Sequence, residues 1–386
     1  MKILHTSDLH LGKSLLEESL QDDQEYILNE IVRIVEEKEV SVVMISGDIY
    51  DKTIPRADAI KLFDDFITTL SNKNVKILIT SGNHDSNERL AFGSEIFNKF
   101  NIHIATSYGE RKEDENGEVY YDCHIKKVSV DDVDFYLLPF LKPFHLKDLM
   151  ENEEYENIKD SNSMMEWILK RENLDENRKN ILLAHQFVQR GEVPPKQSDS
   201  ESVGTLDPIQ VSLFDDFDYV ALGHLHRPQS VGRETVRYSG TPLKYSFSEA
   251  KDEKSVVIID TDDIECFELV ELKPRRDMRI LNGTFEQVMY MEPTDDIIKV
   301  KLLDENTIIS PMERIRERFE NAIALEFVNI RSFIDSANEG REIIVDSEAS
   351  HYELFDLFFK EQNGREMTEE EEKCIKSIIE SLEGDK

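Results

Sequence analysis

Cysteine is scarce: Cys123, Cys266 and Cys374 are three in 386 residues and lie far apart. They form no CxxC pair, which excludes a disulfide framework and a structural zinc knuckle, and reduced thiols fit a cytoplasmic location. No apolar run approaches the roughly 20 residues that a membrane helix needs. The N-terminus leaves no room for a signal peptide, because Lys2 to Thr6 already reads as a strand. No membrane association is therefore expected. Positive charge is also short, with 46 Lys and Arg against 81 Asp and Glu, a formal net charge of -35. Such a surface repels bare phosphate backbones, so a nucleic-acid substrate would need metal ions or a basic partner to supply the attraction. Internal repeats and low-complexity tracts are missing too. The length exceeds the usual single core and implies one large domain with at least one smaller one.

What is present begins as strand and helix in alternation. Residues 2 to 6 read as a strand and Asp22 to Glu37 as a helix, with Tyr26, Ile27, Ile31, Ile34 and Val35 at helical spacing. Ser41 to Ser46 is an apolar strand running into Gly47-Asp48. Ala57 to Leu70 is a second helix, with Ile60, Phe63, Ile67 and Leu70 on one face. Lys76 to Thr80 is a third strand, ending at Ser81-Gly82-Asn83-His84-Asp85. Alternation of this kind implies crossover units with parallel strands, whose carboxyl-end loops are where α/β folds keep their sites.

From Ile102 the pattern turns to strands and hairpins, with Asn116-Gly117 suited to a tight turn. The acidic stretch 150–178 reads as a solvated helical excursion around Met165, Trp167, Ile168 and Leu169. Asn180 to Ala184 is a strand that ends at His185, and the loop from Gln189 to Pro208 is long enough to be a lid or binding loop. Asp218 to Leu222 is a strand ending in Gly223-His224-Leu225-His226, and Ser255 to Asp260 with Ile264 to Leu269 forms a hairpin. Ile297 to Leu303, Met312 to Phe319 and Ala324 to Ile330 read as a β-α-β cap. At the end of the chain, Tyr352, Phe355, Phe358 and Phe359 share a helical face. Thr368 and Glu371 then make a capping box for a helix carrying Ile375, Ile378, Ile379 and Leu382. These stripes need cover, from the cap or from another chain. Arg275, Arg276 and Arg279 read as makers of local ion pairs.

Asp8 and His10 are two residues apart, as are His224 and His226, a spacing that puts both members on one side of extended backbone. Any one of these groups alone reads as a turn residue. Gathered at one sheet edge, Asp8, His10, Asp48, Asn83, His185, His224 and His226 offer oxygen and imidazole together, a set that suits manganese, iron or zinc and is poor for calcium. Seven ligands are too many for one ion and suit two. With Asp48 bridging, one ion takes Asp8, His10 and His226 and the other Asn83, His185 and His224. Two ions so placed serve phosphoester hydrolysis.

Asp8-Leu9-His10, Gly47-Asp48, Gly82-Asn83-His84-Asp85, His185 and Gly223-His224-Leu225-His226 together resemble the motifs of the calcineurin-like metallophosphoesterases. More closely, MKILHTSDLHLGK (1–13), SGDIYD (46–51) and ALGHLHRP (221–228) are similar to the nuclease subunits of bacterial SbcCD complexes. Leu9 departs from the aromatic residue that many relatives carry, without touching a ligand. The resemblance implies an α/β fold, a metallophosphoesterase-type layered β-sandwich flanked by helices, with a small α+β cap and a C-terminal helical tail. It divides the chain into a nuclease domain (1–272), a cap (273–345) and a C-terminal helical partner-binding segment (346–386). It implies two manganese ions, with magnesium as an alternative, on the seven residues above. His84 would contact the scissile phosphate and assist the leaving oxygen, with Asp85 orienting it. It further implies exonuclease action on double-stranded DNA ends and endonuclease action on single strands and hairpins in repair and recombination. The expected partners are an SbcC-type ATPase gripped by the C-terminal helices and a second copy of this chain, a homodimer within a heterotetramer. Two other readings share these residues: a two-metal phosphodiesterase for a small or protein-borne phosphoester, and a scaffold that has lost catalysis. A scaffold should lack ligands, and none is missing here.

Overall fold

The computed structural model describes residues 1–328 except 17, 118, 192–193, 200–206 and 305–307, together with parts of 352–379. Along the chain the elements used below are β1 (Lys2–Thr6), α1 (Gln21–Glu37), β2 (Val42–Ser46), α2 (Ala57–Asn72), β3 (Lys76–Thr80), β4 (Ile102–Ala105), β5 (Lys126–Val130), β6 (Val133–Leu138), α3 (Ser161–Leu169), β7 (Lys179–His185), β8 (Tyr219–Gly223), β9 (Gln229–Val231), β10 (Arg233–Tyr238), β11 (Ser255–Asp260) and β12 (Asp263–Glu271). Two six-stranded sheets result, ordered β12-β11-β1-β2-β3-β4 and β9-β10-β8-β7-β6-β5. Strands β1 to β4 run parallel, as do β6, β7, β8 and β10. Val42 to Ile45, Ile181 to Ala184 and Tyr219 to Leu222 are apolar without interruption, as suits strands covered on both faces. Between the sheets lies one core, where Ile3, Val42, Met44 and Leu78 of the first meet Phe135, Leu137, Ile181, Leu183 and Tyr219 of the second. This is the layered sandwich that the family resemblance implied.

Helices cover the outer faces. α1 buries Ile27, Leu28, Ile31, Val32, Ile34 and Val35, and α2 buries Phe63, Phe66, Ile67 and Leu70. Tyr26 and Ile60, assigned to those faces by spacing, are instead exposed at 39% and 45%. Each sits at the margin of its apolar stripe, where 3.6-residue spacing no longer points inward. The acidic stretch also differs from expectation. Its charges are solvated, but α3 inserts Met164, Met165 and Ile168, all fully buried, into a second core with Leu146, Phe187 and Leu222. Asp160 caps α3 by accepting from the Ser163 amide at 2.7 Å, and the helix packs on the outer face of the second sheet and is not an excursion.

His5, on β1, is fully buried with Nδ1 3.1 Å from Tyr219 Oη. Burial, and the nearby Arg237 charge, lower its pKa to about 3. The unfolded chain takes up this proton near pH 6.5 while the native state does so only near 3, so stability is lost as pH falls through that window. His5→Phe should flatten the acid side of a melting-temperature profile, removing up to about 1.4 kcal/mol per pH unit of dependence.

The chain divides into two compact units, Met1–Asp277 and Met278–Lys386. In the second, β13 (Met278–Gly283), α4 (Phe285–Tyr290), β14 (Ile297–Leu302), α5 (Pro311–Arg316) and β15 (Ala322–Phe327) make a parallel sheet ordered β13-β14-β15. Its core is Val288, Ile298, Val300, Leu302, Ile315 and Phe319. The β-α-β reading of the cap was therefore one strand and one helix short. The strand expected to reach Ile330 is described only as far as Phe327. In the tail the Thr368 and Glu371 capping box forms, with bonds of 2.8 and 3.3 Å, while Phe358, Ile378 and Leu382 lie outside the described residues. Arg275 and Arg276 pair with Asp23, and Arg279 with Asp296. Among the described residues no helix is long and apolar enough to cross a membrane.

Candidate metal centre

Five parallel strands from both sheets end at the same place. β1 delivers Asp8 and His10, β2 delivers Asp48, β3 delivers Asn83 and His84, β7 ends on His185, and β8 delivers His224 and His226. The backbone there is not extended. Asp8, His10, Asp48 and His224 all have positive φ, of 53, 44, 50 and 102°. Side chains of L-residues disfavour that region, and such strain collects at functional sites. The Asp8/His10 and His224/His226 pairs therefore meet through left-handed turns, and not through the strand pleat that their spacing suggested. Close approach does the rest. A Cβ on Gly82 would lie 2.1 Å from Asp48 Oδ1, and one on Gly223 1.9 Å from the Ser46 carbonyl. Gly82→Ala should push Asp48 out of place and lower the bound-metal count per chain, measured by elemental analysis of the folded protein.

The side chains form two adjoining groups. In the first, the ligand atoms of Asp8, His10 and His226 lie within 4.8 Å of one another, with the Nε2 atoms of the two histidines 3.1 Å apart. In the second, Asn83 Oδ1 is 3.0 Å from His185 Nε2 and 2.9 Å from His224 Nδ1. Asp48 stands between them, its Oδ2 3.6 Å from His10 Nε2 and 3.4 Å from His185 Nε2. His185 Nδ1 donates to the Ser46 carbonyl at 2.8 Å, which leaves Nε2 to face the centre. Nδ1 of His10 and Nε2 of His224 are buried without a hydrogen-bond partner. So many lone pairs turned toward each other, with every member except Asn83 and His84 almost fully buried, call for cations between them. The donor set fits divalent ions with mixed nitrogen and oxygen preference.

Electrostatics agree. Burial and the His185 charge together hold His224 at about 3, burial keeps His10 well below its ordinary value, and burial lowers His226 against the pull of Glu249. Neutral imidazole is the form that binds metal. Burial opposes ionisation of Asp48, but the His185 ring outweighs it and keeps the carboxylate ionised far below the usual range. Burial likewise opposes the charged form of His185, and Asp48 overrides it, raising the pKa to about 9. Asp8 is pushed up to about 7 by burial, although His185 pulls it back. These groups hold protons in positions that cations would take.

His84 is half-buried beside an open depression of about 580 Å³ lined by Asp51, Lys52, Thr53, Ile54, Asn83 and itself. Its amide donates to Asp48 Oδ1 at 2.9 Å, and its Nδ1 donates to the Asp51 carbonyl at 2.9 Å. Asp85 does not orient it. The Asp85 carboxylate is consumed by three backbone amides, Gly82 at 2.9 Å, Tyr50 at 3.0 Å and Ile49 at 3.2 Å. It ties the loop after β2 to the turn after β3, and the Asp51 carbonyl is what holds the His84 ring. Several supporting groups carry no signal in the sequence. Ser7 hydrogen-bonds Asp8, Gln24 holds the His10 carbonyl at 2.7 Å, and Tyr245 holds the Leu9 carbonyl at 2.5 Å. Only the folded chain brings positions 24 and 245 to the first motif.

Residues 1–228 match the calcineurin-like phosphoesterase family, and residues 274–363 match the family described as type 5 capsule protein repressor C-terminal domain. Over 392 residues the chain is 30% identical to SbcD, the nuclease subunit of SbcCD, from Staphylococcus saprophyticus, an alignment that covers 99% of this chain and 98% of that protein. The chain belongs to the SbcD family of calcineurin-like phosphoesterases. As an SbcD-family protein it is a phosphodiester hydrolase that works with divalent metal ions. Solved structures similar to it include a dimetal phosphatase from Danio rerio, 14% identical with a TM-score of 0.38, covering 67% of this chain and 91% of that one. An archaeal phosphodiesterase is 14% identical with a TM-score of 0.30, covering 70% and 100%.

Proposed function

We propose that this chain is the nuclease subunit of an ATPase-coupled DNA-processing complex, cutting double-stranded ends as an exonuclease and single strands and hairpins as an endonuclease. The observation that carries the reading is Asp48 Oδ2, standing between two groups of ligands at 3.4 and 3.6 Å. Asp8, His10 and His226 would hold one ion, Asn83, His185 and His224 the other, with Asp48 shared. Manganese suits this set, and magnesium is the alternative. Two bound ions would supply Lewis acidity and an activated water for in-line displacement. The chain's own residues do the rest. His84, with its Nδ1 proton committed to the Asp51 carbonyl, presents Nε2 to the depression and, as the imidazolium, delivers its Nε2 proton to the departing oxygen, which leaves a neutral ring with the proton on Nδ1. Asp85 keeps the loops bearing Asp48 and Asn83 in register.

The net charge of -35 supports a basic partner that brings DNA to the site. An SbcC-type ATPase bound through the C-terminal helices, and a second copy of this chain, complete the proposed assembly. The test is incubation in manganese, with and without the ATPase, of hairpin-ended duplex DNA and an aryl phosphodiester. DNA cleavage is expected. Hydrolysis of the aryl ester alone, with DNA intact even beside the ATPase, would overturn the reading in favour of a small-substrate phosphodiesterase.

A further inference from the structure

Behind His226, on the side away from the other ligands, lies a buried ion pair. Glu249 ends the short turn Phe247–Glu249 and is wholly inaccessible to solvent. Its Oε2 accepts from Lys254 Nζ at 2.7 Å and from the Tyr245 amide at 3.3 Å. Its Oε1 accepts from the Ser198 hydroxyl at 2.5 Å and faces His226 Nδ1 at 3.5 Å. Lys254 Nζ also donates to the His226 carbonyl and to Thr241 Oγ1, both at 2.8 Å. One pair of charges thus reaches both the side chain and the main chain of a single histidine.

Buried ion pairs add little to stability, because desolvation cancels most of their attraction. Their use lies in what they hold. A carboxylate at Nδ1 keeps the ring proton there and leaves the Nε2 lone pair for an ion. His226 Nε2 is the atom that faces His10 Nε2 at 3.1 Å. Ser198 brings in the long loop after β7, whose function the sequence left open. The Lys196 amide bonds Gln229 Oε1 at 2.9 Å and the Asp199 amide bonds Ser248 Oγ at 3.0 Å. These contacts seat Ser198 against Glu249.

We propose that Glu249 is a positioning residue for His226, and that Ser198 sets the strength of that positioning, so the long loop tunes ion affinity on the Asp8, His10 and His226 side. The inference rests on the two-ion reading above. Calorimetric titration of metal-free protein with Mn²⁺ tests it, alongside the melting temperature of each metal-free sample. Glu249→Gln should weaken one of two binding steps by about 10–100-fold. It also leaves Lys254 with a neutral neighbour, so Ser198→Ala, which keeps the ion pair, is the second variant. That change should weaken the same step by about 3–10-fold, and the melting temperature of the metal-free sample separates this from a general loss of stability. Glu249→Asp, which restores the charge, should recover part of the loss. A wild-type chain that binds two ions while Ser198→Ala and Glu249→Gln bind them equally well overturns the positioning proposal alone. A folded wild-type chain that binds none overturns the two-ion reading and this one with it.

Discussion

Replacement of His84 by serine should lower turnover on DNA by about 10²–10⁴-fold while two metal ions per chain remain bound. The His84 ring is hydrogen-bonded to the Asp51 carbonyl and stands edge-on to the His10 ring at 4.9 Å, whereas the bond from its amide to Asp48 Oδ1 belongs to the main chain and survives the change. The ligand cage therefore keeps its shape and loses only a proton donor. Leaving-group dependence separates this role from others. A DNA alkoxide needs protonation as it departs and a nitrophenolate does not, so the loss should be far smaller on a nitrophenyl phosphodiester than on DNA. Elemental analysis showing missing metal in His84→Ser would place the ring among the ligands instead.

Asp48→Asn should cost both ions and reduce hydrolysis to background. Asparagine keeps the size of the side chain and can still accept the His84 amide, so the fold has little reason to change. What disappears is the charge on Oδ2, the atom within 3.6 Å of nitrogens from both groups. It is also the charge that holds His185 up at about 9. Without it His185 becomes an ordinary buried imidazole, and each ion faces one carboxylate fewer. Titration with Mn²⁺ should show neither binding step at concentrations that saturate the wild type. Retention of one tight ion would mean that Asp48 serves a single metal.

The seven candidate ligands were legible because each follows an apolar strand, and parallel strands leave their carboxyl ends on one side. The parallel strands were legible for a related reason: uninterrupted apolar runs such as Val42 to Ile45 suit strands covered on both faces, whereas the sandwich followed from the family resemblance. Support for the site was not legible. Gln24, Tyr245 and Glu249 look like ordinary helix and loop residues, and the approaches that matter span up to 236 positions of chain. The role first given to Asp85 was misplaced because adjacency to His84 suggests contact, while the turn sends the carboxylate toward backbone amides. Left-handed conformations at Asp8, His10 and His224 were also hidden, since spacing reports which residues are near but not how the chain bends between them. In the acidic stretch, charge density hid that the helix around Met165 and Ile168 packs on the domain, with Met164 completing its buried face.

The three bonds to Asp85 have a dynamic consequence. The amide protons of Gly82, Ile49 and Tyr50 share one carboxylate as acceptor, so displacement of that carboxylate frees all three together. The loops carrying Asp48 and Asn83 should therefore open as one unit, with these three amides exchanging with deuterated water at a common rate. Candidate ligands supplied by two different strands would then move, or stay, together.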